Sequence, residues 1–148
     1  MVNWTIASVM GVHTLMAVLW TGGYLVTGML VVPAAERNDA TEFALDVLDS
    51  LKWFAFGGIV VMGASGGAAL WYLYENDLPE GTRGTALIAM MTLYGVFALT
   101  SLWAWRETKG AREAGISELP TRLKMAFRTN ALVATLLVLN AAIIGYVV

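Results

Sequence analysis

The stretch that decides the fold runs from Trp4 to Val32, WTIASVMGVHTLMAVLWTGGYLVTGMLVV, and is followed by Pro33. A helix needs about 20 apolar residues to cross the hydrocarbon core of a bilayer. This run is long enough and holds one ionisable side chain, His13. A strand with an open edge would leave its backbone N–H and C=O groups unpaired in lipid, so the run is read as a helix. No Lys or Arg precedes it. A cleaved secretory leader carries a positive first segment and a small-residue cleavage site, so the run is expected to be a retained span.

Three more runs of the same kind follow, at about 53–74, 85–105 and 126–148. The second has an amphipathic lead-in from near Thr41 that carries Asp46, Asp49 and Lys52. Helix breakers occupy the gaps: Pro33, then Asn76-Asp77-Leu78-Pro79-Glu80-Gly81, then Gly110 to Pro120. Composition agrees, with 58% hydrophobic and 14% charged residues against roughly a quarter charged in a soluble domain. The expected fold is an all-α membrane protein, one domain over residues 1–148 forming a bundle of four transmembrane helices.

Orientation follows from the nine Lys and Arg residues. Arg37 and Lys52 flank the first connection, and Arg106, Lys109, Arg112, Arg122, Lys124 and Arg128 surround the third. The second connection has only Arg83. Basic residues stay on the cytoplasmic side, so loops 1 and 3 are expected there, with both termini outside, in a cell membrane. Trp4, Trp53, Trp71, Tyr72, Tyr74, Trp103, Trp105 and Tyr146 fall at span ends, where amphipathic rings favour the interface. The absence of cysteine removes disulfides, thiolate metal sites and thiol catalysis. A net charge of −2 offers no basic surface to nucleic acid.

In lipid, helix association relies on close backbone approach at small residues rather than on the hydrophobic effect. The second span is rich in them: Gly57-Gly58, Gly63-Ala64, Gly66-Gly67 and Ala68-Ala69, with Gly63 and Gly67 in small-xxx-small spacing. Gly22-Gly23 and Gly28 mark a second close contact on the first span, or room for something flat.

His13 is the only histidine and the only ionisable residue deep in a span. An ionisable group inside a membrane is a functional hypothesis by default. Neutral imidazole ligates transition metals and haem iron; the alternative is a neutral His bonded to a carbonyl or a Thr on a neighbouring span. Met10 and Met16 stand three residues to either side and flank it on the helix. A thioether–imidazole set suits Cu(I), although Met is also ordinary membrane-helix filler. With one histidine, bis-His haem ligation within a single chain is excluded. Met62, Met90 or Met91, or a second copy, would have to supply another ligand.

The element His13-Thr14-Leu15-Met16-Ala17-Val18-Leu19-Trp20-Thr21-Gly22-Gly23, with Pro33 ten residues on, resembles the first helix of copper-resistance D type (CopD-like) membrane proteins. It is also similar to the related HemJ kind of bacterial protoporphyrinogen oxidase. Arg122, Lys124 and Arg128-Thr129-Asn130, leading into the last span, form a weaker echo. The resemblance implies copper handling, or binding of haem b, with His13 as ligand and Trp20, Gly22 and Gly23 shaping its surroundings.

Ser65, Thr92, Thr100, Ser101, Asn130 and Asn140 read as interhelical glue, and Arg106, Arg112, Lys124 and Arg128 as a collar for anionic headgroups. Nothing pairs a nucleophile with a base, and no carboxylate lies within a span. Two functions compete: a metal- or haem-handling protein, and a non-catalytic subunit or anchor that packs on partner chains or on itself through glycine-rich faces. A conventional transporter is less well supported, because four helices enclose little volume and no span is broken and charged.

Overall fold

The computed structural model describes residues 4–75 and 79–146. Asn76, Asp77 and Leu78 of the second connection, Val147 and Val148 of the last expected span, and the Tyr146 side chain lie outside the described set. Four long helices make up the fold: α1 (Trp4–Arg37), α2 (Thr41–Tyr74), α3 (Gly81–Glu113) and α4 (Thr121–Tyr146). All four are long and apolar enough to cross a membrane, and no strand occurs among the described residues.

Two expected breaks are absent. The first helix does not stop at Pro33; it continues to Arg37 through a π-helical turn over Thr27–Val31. A proline in a helix lacks an N–H and crowds the carbonyl four residues back, here that of Met29. In the π turn the Val32 N–H reaches Thr27 O, five residues back. The inserted residue loosens the ladder just ahead of the ring, so the helix survives. Gly110 likewise does not end α3, which runs on to Glu113. At 1.5 Å per residue the first three helices are about 50 Å long, beyond the ~30 Å hydrocarbon layer. Their overhangs gather at the end formed by the α1–α2 and α3–α4 connections.

That end is held by ion pairs. Glu36 on α1 meets Lys124 (2.7 Å) and Arg128 (3.9 Å) on α4. Asp46 and Asp49 on α2 meet Arg112 on α3 at 2.9 and 3.5 Å, and Asp49 also holds Lys52 at 2.8 Å. The connections join α1 to α2 and α3 to α4, so the ion pairs close the two seams the chain leaves open. Thr41 Oγ1 donates to Ser117 O (2.9 Å) and ties one connection to the other. Of the collar residues, Arg112, Lys124 and Arg128 pair with carboxylates of this chain, while Arg106 forms no ion pair among the described residues.

Around the bundle, α1 packs along α2 and α4, and α3 closes the ring between them. The centre is a column of aromatic rings. Trp20 lies on Phe97 with centroids 4.6 Å apart and meets Tyr94 edge-on at 6.1 Å. Tyr24 meets Phe97 edge-on at 5.5 Å and stacks on Phe127 at 5.6 Å. Glycine makes the room: a Cβ on Gly58 would overlap the Trp20 indole. One on Gly28 would stand 2.7 Å from Phe127 O, so α1 and α4 touch backbone to side-chain position there. Outward faces stay apolar on every helix, for example Val18, Val60, Leu99 and Leu132. Exposed apolar surface on that scale belongs in lipid rather than water.

Candidate functional site around His13

His13 lies nine residues after Trp4, and Ser65 nine residues before Tyr74. Antiparallel α1 and α2 therefore bring the two to one depth. His13 Nδ1 stands 2.8 Å from Ser65 Oγ, and Ser65 back-bonds to the Val61 carbonyl one turn earlier. A serine has one proton to give. With that proton on the Val61 carbonyl, Nδ1–H of a neutral imidazole donates to Ser65 Oγ, and the lone pair sits on Nε2. This tautomer is assigned from the hydrogen-bond balance. Ser65 is buried and His13 half-buried. The ring lies against α2 at Gly66, where a Cβ would sit 3.5 Å from His13 Cε1, at ordinary contact distance. Among the described residues Nε2 has no hydrogen-bond partner.

The other residues singled out from the sequence fall in different places. Met10, three residues before His13, is 37% exposed. Met16 is half-buried, and its terminal methyl rests against Gly57 on α2. Trp20 shares the inward face of α1 with His13, two turns and about 10 Å further along, and is buried in the aromatic column. Gly23 packs on Leu51 of α2, while Gly22 has no neighbour within 4 Å of a notional Cβ. Met62 and Met90 pack on the core, and Met91 is exposed.

Four of the polar residues expected to join helices do so. Thr100 Oγ1 reaches Asn130 Oδ1, and Asn130 Nδ2 donates to Thr100 O at 3.1 Å, joining α3 to α4. Asn140 Nδ2 donates to Ala86 O at 2.9 Å near the far end of the same pair. Ser65 serves His13. Thr92 only back-bonds within its own helix, to Ile88 O. Two contacts across the bundle were not singled out from the sequence: Tyr94 OH donates to Ile59 O on α2, and Tyr24 OH approaches Ser101 O at 3.5 Å. Their signal was a hydroxyl-bearing ring in mid-span, which needs a partner in lipid.

Among the described residues no three His, Cys, Asp or Glu side chains converge to hold a metal ion. A metal or haem iron at this place would therefore rest on one imidazole, with thioethers or a second chain completing the set. The pose of His13 fits that partial role, because a ring nitrogen that ligates a metal is normally backed by a hydrogen bond on the other nitrogen. No family model, no curated protein and no solved structure matches this chain.

Proposed function

We propose that this chain is an integral membrane metal- or haem-handling protein of CopD-like type, with His13 as ligand for copper or haem b. In this reading it sits in the cell membrane with both termini outside and the ion-paired end in the cytoplasm. One observation carries the proposal: Nδ1 of His13 is engaged by Ser65, which is itself engaged by the Val61 carbonyl. That arrangement fixes the ring and directs a lone pair from Nε2.

Ser65 is the positioning residue. Met10 and Met16 stand one turn away on either side as soft donors for Cu(I). Trp20, Gly22 and Gly23 act further down α1, where Trp20 and Gly23 set how the helix seats on its neighbours. Haem b, if bound, would be held by His13 together with a Met or the His13 of a second copy, and would supply one-electron chemistry. Titration of the detergent-purified protein with Cu(I) and with haem b tests the reading. Wild type binds one of them stoichiometrically, His13→Ala does not, and Ser65→Ala binds about 10–100-fold more weakly. Equal binding by wild type and His13→Ala defeats the proposal.

A second reading has its own observation. Gly11, Gly22, Gly67 and Gly95 have nothing within 4 Å of a notional Cβ. These open positions suit a non-catalytic subunit or anchor that packs against partner chains. It predicts a metal-free, colourless chain whose stability depends on the partner.

A further inference from the structure

We infer that His13, Met62 and Met90, one residue from each of α1, α2 and α3, form a Cu(I) site in the interior of the bundle. The inference rests on the reading of His13 as a ligand and names the donors that complete its set. The aromatic column supplies the register. Trp20 on α1 meets Phe97 on α3 at 4.6 Å, and one turn further on Tyr24 meets Phe97 and approaches Ser101 O. Contacts that advance together along both helices mean that α1 and α3 run parallel. His13 precedes Trp20 by seven residues, and Met90 precedes Phe97 by seven. Seven residues make two turns, so each returns to the face of the ring it precedes, about 10 Å further from the ion-paired end. His13 and Met90 therefore stand at one level, both on the inward faces of their helices.

Glycine contacts place the third donor. The Trp20 indole lies against Gly58, and His13 Cε1 lies 3.5 Å from a notional Cβ on Gly66. Met62 is four residues from each of these glycines. It stands midway in the same row on α2, between the level of the indole and that of the imidazole. Met62 and Met90 are half-buried and packed on the core, whereas Met10, Met29, Met91 and Met125 are exposed. Met10 and Met16 leave α1 about 60° to either side of the imidazole, because three residues turn a helix by about 300°. The interior pair is the better placed of the soft donors.

Donor chemistry selects the metal. Ser65 occupies Nδ1 of His13, which leaves the Nε2 lone pair as the nitrogen donor. One neutral imidazole with two thioethers suits Cu(I). Magnesium and calcium take oxygen ligands, which this set does not offer. Trp20 and Phe97, both buried, close the site on the side of the ion-paired end.

Two measurements on the detergent-purified protein test this. Competition for Cu(I) with bathocuproine disulfonate reads affinity, and copper K-edge X-ray absorption reads the sulfur and nitrogen neighbours of the bound ion. Wild type is expected to hold Cu(I) with two sulfurs and one nitrogen. Met62→Leu and Met90→Leu conserve volume, so the core stays filled. Each should lose one sulfur neighbour and bind Cu(I) at least about tenfold more weakly, the lower end of the loss when a partner that merely backs a ligand is removed. Met91→Leu, on an exposed face, should bind as wild type does. Affinity and sulfur neighbours unchanged in Met62→Leu and Met90→Leu, with binding still lost in His13→Ala, would overturn this inference and leave His13 as a ligand. Wild type that takes haem b but not Cu(I) has the same consequence, and so does a loss in Met91→Leu as large as in the other two. Equal Cu(I) binding by wild type and His13→Ala defeats both this inference and the reading beneath it.

Discussion

Replacing Gly58 by alanine tests the central column of the bundle. The added Cβ would overlap the Trp20 indole at its Cγ, Cδ2 and Cε3 atoms. Trp20 has no slack to offer: it is 1% exposed, lies on Phe97 at 4.6 Å and meets Tyr94 at 6.1 Å. Overpacking a filled core costs about 1–3 kcal/mol. Alanine also returns up to about 1 kcal/mol of helix propensity relative to glycine, which obscures a comparison with wild type. Gly67→Ala and Gly95→Ala remove that ambiguity, because both positions lie within helices and have nothing within 4 Å of a notional Cβ. They gain the same propensity and clash with nothing. Set against them, Gly58→Ala should be less stable by about 1–3 kcal/mol, or roughly 2–12 °C in Tm. Thermal unfolding in detergent micelles, followed by circular dichroism, reads the difference. A Gly58→Ala protein that melts with or above the two comparators refutes the packing argument.

Other substitutions probe the seams. Asn130→Leu removes both links to Thr100. Interhelical hydrogen bonds in membranes average about 0.6 kcal/mol each, and Thr100 keeps Val96 O as an acceptor at 2.9 Å, so the expected loss is about 1 kcal/mol in the same unfolding assay. Glu36→Gln opens the α1–α4 seam at the ion-paired end. Exposed ion pairs contribute about 0–1 kcal/mol, so the loss should be small at low salt and vanish near 1 M salt, where the screening length is about 3 Å. A Glu36→Gln defect that persists at 1 M salt would mean the side chain packs rather than pairs.

Span existence was legible because length and apolarity suffice for it. Inward faces were not. In lipid, core and periphery are both hydrocarbon, so hydrophobicity cannot distinguish buried Phe97 from Leu99, which is 70% exposed two residues later. Volume matching was the available signal: Trp20, the largest side chain on α1, needs a glycine opposite, and α2 supplies Gly58. The helix ends misled in a related way. Pro33 and Gly110 are breakers in water-soluble helices, yet a π turn absorbs the first, and the α3 overhang carries Arg112 past the second to Asp46. The His13–Ser65 contact was half legible. An imidazole in mid-span needs a neighbouring partner, and counting inward from the interfacial Trp4 and Tyr74 leads to Ser65. The basic cluster was legible, but its pairing with Glu36, Asp46 and Asp49 was not, because those carboxylates lie on other helices, far away in sequence.

The proposal for His13 is tested most directly by the absorption spectrum of the detergent-purified protein, oxidised and dithionite-reduced, with metal analysis of the same sample. The account predicts a Soret band or stoichiometric copper in wild type, and neither in His13→Ala. A colourless, metal-free wild type that stays so after reconstitution with haem b and with Cu(I) would contradict it and leave the packing-subunit reading in front.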